Sequence, residues 1–394
     1  MTESTFLQAP PTDQFIPLSE PEIRGNEGKY VQECLETGWV SSAGPFVDRF
    51  ERMVAHKCGC QRAIATVNGT SALHVALLVA GVQPDDEVLV STLTFIAPVN
   101  AIRYVGAWPV FVDAEPDYWQ MDPVRVVEFL EKGCRWSNGA LYNQRTGRRV
   151  TAIVPVHLLG HPVDLDPILT AAQKFGLKVI EDATEGLGAT YRGRPLGSIG
   201  DIGCLSFNGN KIITTGGGGM LVTSNEEWAQ KAKYLTTQAK DDPIEYVHKE
   251  IGYNYRLTNI QAAIGCAQME QLDAYVAAKR EIADRYSLAF RNIPGIVPMR
   301  QASWAKSTFW MYTVLIKKEK FGINSRQLLK TLAAQKIQCR PLWQPIHQSP
   351  AHALSRAGEL PVSEQLSKEA LSLPCSVGLS KDAQQRVINQ VCLC

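Results

Sequence analysis

Short β-branched and apolar runs alternate with longer amphipathic stretches from about residue 60 onward. RAIATV (62–67), EVLVST (87–92), WPVFVD (108–113), TAIVPVH (151–157), LKVIED (177–182) and IGCLSF (202–207) read as buried strands. Helix-like SALHVALLVAGV, APVNAIRYVG and LDPILTAAQKFG fall between several of them. Strands alternating with helices predict an α/β fold, a largely parallel sheet with helices on both faces. The stretch from Glu131 to Val150 breaks the rhythm. Its turn signals, Ser-Asn-Gly and Arg-Thr-Gly-Arg, mark a surface insertion, and a decorated loop is its simplest role. Further on, NIQAAIGCAQMEQLDAYVAAKREIADRYSLAF (259–290) repeats apolar residues at helical spacing, as a long helix bridging two domains would. Strand-like FWMYTVLIK (309–317), helix-like SRQLLKTLAAQK (325–336) and KDAQQRVINQV near the C-terminus follow. The expected division is a large domain over residues 1–270 and a small α/β domain over 271–394.

Composition narrows the class. Forty Lys and Arg against thirty-nine Asp and Glu leave +1, so no basic field advertises nucleic acid or a membrane surface. The start, MTESTFLQAPPTDQF, lacks the basic and apolar regions of a secretory leader, and no apolar run is long enough to span a bilayer. The ten cysteines include no C-x₂-C pair, which argues against a structural zinc site. A cytoplasmic enzyme with reduced thiols and no metal is the expectation.

Four groups carry candidate chemistry. Asn68-Gly69-Thr70-Ser71 opens a helix after the first strand, where free N–H groups and the helix dipole suit a phosphate; plain helix capping by Thr70 or Ser71 would need no ligand. Asp182 ends an apolar strand, where doubly wound sheets place ligand-binding residues. A carboxylate there can keep a pyridinium nitrogen protonated, or it can merely cap a helix. Lys211 stands in SFNGNKIITTGGGG, after the strand that ends at Ser206, with Gly216 to Gly219 allowing a tight return of the chain. A loop-held amine at a cofactor pocket is what a Schiff-base lysine requires. Phe95, after the second strand, can stack on a flat ring or fill a core. Each signal is weak alone. Together, in this order and at strand ends, they describe a pyridoxal phosphate (PLP) pocket.

The segments GTSALHVAL, TFIAPVNAI, VPVHLLGHPVDLDPI, IEDATEGLGATYRGRPLGSIGDIGCLSFNGNK and GYNYRLTNIQAAIG resemble the DegT/DnrJ/StrS sugar aminotransferases, from about Gly25 to the C-terminus. That resemblance implies a fold-type I PLP-dependent aminotransferase, acting as a homodimer with shared active sites. It would move an amino group from L-glutamate to a nucleotide-linked keto sugar. Lys211 then matches the Schiff-base lysine, Asp182 the partner of the pyridine nitrogen and Phe95 the stacking ring. Gly69, Thr70, Ser71 and Ser206 match the phosphate site, and Asn254, in GYNYR, the residue that reaches the neighbouring subunit's phosphate. Glu185 departs from the glutamine or histidine common near the cofactor's 3-hydroxyl. The insertion and RPLWQPIHQSP (340–350) resemble enzymes that aminate C4 of UDP-linked 2-acetamido-4-keto-6-deoxy sugars for surface glycans. This makes Trp343 and His347 candidates to touch substrate, or else packing residues of the small domain.

Three rivals stand beside this reading. A dehydratase relative would carry histidine where Lys211 stands. Amination at C3 would use the same residues. A non-catalytic sugar-nucleotide binder would have no use for an intact Asp182, Lys211 and Asn254 set. A dinucleotide-dependent dehydrogenase is disfavoured, because no G-x-G-x-x-G follows the first strand of the sheet.

Overall fold

The computed structural model describes residues 14–242, 244–355 and 358–394. Residues 1–13, which hold most of the stretch read for a leader, lie outside the described residues.

The pattern of buried runs builds β1 (Arg62–Thr66), β2 (Glu87–Ser91), β3 (Trp108–Val112), β4 (Cys134–Ser137), β5 (Ala140–Asn143), β6 (Arg149–Val154) and β7 (Lys178–Asp182). Two-residue strands β8 (Thr190–Tyr191) and β9 (Arg194–Pro195) precede β10 (Ile202–Ser206) and β11 (Gly219–Thr223). The main sheet runs β1-β11-β10-β7-β6-β2-β3. Within that order β10, β7, β6, β2 and β3 pair in parallel, and only β11 is reversed, antiparallel to both β1 and β10. The strand pattern did not disclose β11, because it starts inside the glycine run.

Alternation along the strands feeds two cores. Ile64, Val88, Val90, Val154 and Ile180 face α3 (Gly69–Val79), α4 (Ala97–Tyr104) and the helix Glu226–Thr236. Ala65, Leu89, Ile153, Val179 and Leu205 face the other core, which holds the helix Pro45–Cys58 and the long helix Asn259–Phe290. Burying each valine, leucine or isoleucine among them contributes about 1.5–3 kcal/mol. The long helix starts with a capping box between Thr258 and Gln261. Asn259 beside it accepts the Phe46 N–H (2.9 Å) and donates to the Trp39 carbonyl (2.8 Å), fixing the entry to the helix Pro45–Cys58. It runs unbroken from Asn259 to Phe290, so the boundary expected at residues 270–271 falls in mid-helix.

Beyond it lie β12 (Ile296–Pro298), β13 (Ala305–Lys306), β14 (Tyr312–Ile316), β15 (Arg340–Pro341) and β16 (Ala370–Leu373). They form an antiparallel sheet in the order β12-β14-β16-β15, while β13 pairs with β8 of the preceding layer. Asp113, just after β3, accepts the N–H groups of Val362 and Ser363 and so caps the helix Pro361–Glu369 from across the molecule. The insertion is a β4–β5 hairpin on the edge of β6. Asn138 and Gly139 at its tip both have positive φ, as a two-residue hairpin turn needs. Buried Glu87 accepts Asn143 Nδ2 (2.7 Å) and Thr146 Oγ1 (2.8 Å), which ties the insertion to the start of β2.

Gly203 in β10 lies against Gly197: a Cβ there would sit 2.2 Å from the Gly197 oxygen. Gly203→Ala is therefore expected to lower stability by about 1–3 kcal/mol or more, read as a drop in denaturant midpoint. A midpoint equal to the parent's would show that the 197–200 turn yields freely.

Candidate active site

All the parallel strands deliver their C-terminal ends to one edge of the sheet, where open α/β folds bind ligands. After β1 the chain enters α3, and Asn68 Oδ1 caps it by accepting the Ser71 N–H (2.8 Å). The cap is thus Asn68, not the Thr70 or Ser71 hydroxyl. Gly69 and Thr70, in the first turn, have N–H groups without intrahelical acceptors, and the dipole's positive end lies there. The approach is close: a Cβ at Gly69 would lie 2.9 Å from Ser206 Cβ, and one at Gly219 2.4 Å from the Asn68 carbonyl carbon. The start of α3 is pressed between the end of β10 and the start of β11.

Asp182 closes β7 and is buried, with the Thr184 N–H donating to Oδ1 (3.1 Å). Burial pushes its carboxyl above the usual carboxylate range, while the Lys211 charge pulls the other way. Glu185 is buried too. Its Oε2 accepts the Leu159 N–H (2.7 Å) and its Oε1 lies 3.7 Å from Lys211 Nζ. Burial raises it to about 7 against the opposing pull of Lys211. Lys211 follows β10 in a loop that doubles back, Thr215 N–H donating to the Phe207 carbonyl (2.9 Å), so that Ser206 pairs with Gly219. Its Nζ stands 4.3 Å from the centroid of the Trp310 ring. Phe95 is 54% exposed, which removes the alternative of a core phenylalanine; its ring is 6.5 Å from that of Trp343.

These groups line a cavity of about 370 Å³. Of the residues singled out in the sequence, Gly69, Thr70, Phe95, Asp182, Glu185, Ser206, Lys211 and Trp343 border it. Ser71, Asn254 and His347 do not. Ser71 is buried, with its N–H taken by the cap. Asn254 lies on an exposed stretch bridged to Thr237. His347 is held at both ring nitrogens, by Thr92 Oγ1 (2.7 Å) and Glu364 Oε1 (3.2 Å), and packs between the layers rather than in the cavity. Sequence reasoning missed Thr184, Asn208, Asn210 and Trp310 in the lining. The first three sit within or beside the motifs already quoted. Trp310 gave no local signal, since a distant part of the chain supplies it.

The donor set fits PLP. An anion cradle at Gly69 and Thr70, with the Thr70 and Ser206 hydroxyls beside it, suits a phosphate. A buried carboxyl with a single N–H on Oδ1 suits a protonated ring nitrogen, an amine stands ready for a carbonyl, and an exposed ring borders the flat space. Fold and site together define a fold-type I PLP-dependent aminotransferase. Residues 21–392 match the DegT/DnrJ/EryC1/StrS aminotransferase family, and the chain belongs to it. It is 41% identical to GDP-perosamine synthase of Caulobacter vibrioides, over 95% of this chain and 96% of that protein. It is 38% identical to the putative pyridoxal phosphate-dependent aminotransferase EpsN of Bacillus subtilis, over 95% and 94%. Among solved structures, S. venezuelae DesV superposes with a TM-score of 0.83 at 30% identity, covering 93% of each chain. The protein is a PLP-dependent sugar aminotransferase, of the class that acts on nucleotide sugars. Among the described residues no helix is long and apolar enough to cross a membrane, and no cluster of side chains could hold a metal ion.

Glu185 makes native stability depend on pH. Its carboxyl titrates near 7 in the folded protein and near 4.5 otherwise, so the folded state holds the extra proton. The associated stabilisation, about 3 kcal/mol at most, is present below pH 4.5 and lost as pH rises through 7. Glu185→Gln should flatten this slope in the cofactor-free protein, measured as denaturant midpoints between pH 5 and 8. Equal slopes in parent and variant would sink the assignment.

Proposed function

We propose that this enzyme transfers the amino group of L-glutamate to a 4-keto-6-deoxy sugar carried on a nucleoside diphosphate, giving a 4-amino sugar for surface glycan synthesis. The observation that carries the reading is the convergence of Lys211, Asp182 and the start of α3 on one cavity. When bound there, PLP supplies an electron sink that stabilises negative charge at the donor's α-carbon. Asp182 holds the ring nitrogen's proton; with that cation in place, the cost of burying the carboxylate is offset. Lys211 Nζ takes the α-proton as general base and returns it on the far side of the reaction as general acid. Gly69, Thr70 and Ser206, which border the same cavity as Lys211, would hold the cofactor's phosphate. Phe95 and Trp343, at the cavity's rim, flank the path by which a sugar enters.

Two readings of the nucleotide stand side by side. Relatives named GDP-perosamine synthase, at 41%, 39% and 33% identity, favour a GDP-linked sugar. The resemblance of the 340–350 segment to C4-aminotransferases favours a UDP-linked 2-acetamido sugar. The GDP reading is the better supported, since it rests on nearly the full chain. Asn254 is exposed and lies outside its own chain's cavity, three residues after exposed Ile251, which supports a homodimer in which it completes the partner's phosphate site.

Adding L-glutamate to the PLP-loaded enzyme should replace the visible absorbance band with the pyridoxamine phosphate spectrum. Lys211→Ala should lose this conversion by at least a thousandfold while keeping the parent's melting temperature. The converted enzyme should then regain its colour with a 4-keto-6-deoxy sugar from a panel of GDP- and UDP-linked 4-keto and 3-keto sugars. A parent-like rate in Lys211→Ala, or recovery only with a 3-keto sugar, would refute the proposal.

A further inference from the structure

Two residues other than glycine hold positive φ where the second layer meets the site, Leu159 (59°) and Phe309 (49°). Such conformations cost free energy and persist only where the surroundings impose them. They meet at Gly160, whose carbonyl accepts the Thr308 N–H (3.1 Å) and the Ser307 hydroxyl (3.0 Å). A Cβ on Gly160 would fall 2.2 Å from Thr308 Oγ1. Each turn delivers one group to the same amine. Leu159 gives its N–H to Glu185, whose other oxygen faces Lys211 Nζ, and Phe309 precedes Trp310, whose ring covers Lys211 Nζ from the opposite layer.

Trp310 is fixed at two points. Its Nε1–H donates to the Asn210 carbonyl (2.7 Å), inside the loop that bears Lys211. Its own carbonyl accepts from Lys279 Nζ (2.9 Å), on the long helix Asn259–Phe290. Lys279 is 2% exposed, and among the described residues no carboxylate pairs with it; its amine also donates to Cys375 Sγ, at 3.7 Å. A buried ammonium without a carboxylate is costly, so its retention needs a reason. Holding the Trp310 backbone is the one its geometry offers.

We propose that Trp310 is a catalytic residue whose indole face stabilises the ammonium form of Lys211 each time that amine takes up a proton, and that Lys279 is the positioning residue that holds the indole there. An indole face attracts a cation through its quadrupole, most strongly where water is excluded. The charged groups acting on Lys211 are Glu185 and Asp182, both carried by the sheet and the turn after it, and the Trp310 ring adds a third contact to the same amine from a distant part of the chain. The proposal rests on Lys211 being the reacting amine, as argued above.

The test reads Lys211 itself, in full-length enzyme loaded with pyridoxamine phosphate, where that amine is free. Its acetylation by acetic anhydride at fixed neutral pH, followed by mass spectrometry, reports the fraction of neutral amine. Trp310→Leu should raise the rate about 3- to 30-fold. Trp310→Phe, which keeps a ring but lacks the Asn210 hydrogen bond, should fall between Leu and the parent. Lys279→Met should raise the rate by part of the Leu effect, and the Leu/Met double variant should match Trp310→Leu alone. Rates within twofold of the parent in both Trp310→Leu and Lys279→Met, with unchanged melting, would overturn the proposal. If Trp310→Leu fails to fold, the Trp310→Phe and Lys279→Met rates decide in the same way. Failure of pyridoxamine phosphate to bind the parent would instead strike the functional reading.

Discussion

Glu181 is wholly buried, and the architecture of the site depends on how its carboxylate is satisfied. It accepts His157 Nε2 (2.9 Å) and the N–H groups of Gly197 (2.9 Å), Ile199 (2.6 Å) and Gly200 (2.7 Å). Burial alone would push its carboxyl up, but His157 and these donors outweigh that and hold it below the usual range. A buried charge is tolerable only when so fully bonded. One carboxylate therefore locks three segments together: the end of β6 through His157, its own strand β7, and the turn that feeds β10. The next residue along β7 is Asp182, and the end of β10 is Ser206, so the lock sets the spacing of the cavity's floor.

The close backbone approaches follow from that spacing. Once β7 and β10 are fixed, the reversed strand β11 must return beside β10, and only glycine can stand at 219 against the Asn68 carbonyl. The start of α3 then has one place to sit, with its unpaired N–H groups aimed into the cavity. Anion cradle and carboxylate stand at strand ends, and the amine sits on a loop pinned between β10 and β11, which suits a reaction whose groups must stay aligned through both halves of a transfer.

The second layer acts on the site through a few contacts with no sequence proximity. Asp113 caps a helix that begins at Pro361, Thr92 engages His347, and Gly160 receives the 307–310 turn. His347, read from the sequence as a substrate candidate or a packing residue, belongs among these contacts. A histidine in a substrate-like segment invites a ligand role, yet both ring nitrogens are spent on Thr92 and Glu364, clipping layers together.

Much of the fold was written in local pattern. Six strands of the main sheet and the full extent of the Asn259–Phe290 helix follow from apolar pattern, because the strands bury both faces between two cores and the helix buries one side against one of them. The order Asn68–Gly69, Asp182, Ser206, Lys211 also follows from the string, since strand ends in a parallel sheet converge on one edge whatever the loops do. Strand β11 was hidden, because a run of glycines carries no periodicity, and its place comes from pairing with β1 and β10. Only tertiary structure could decide that Trp310 covers Lys211, that Lys279 holds it, and that Asn254 stands outside its own cavity. Those facts depend on distances between segments 31 to 100 or more residues apart, which packing sets and local sequence does not encode.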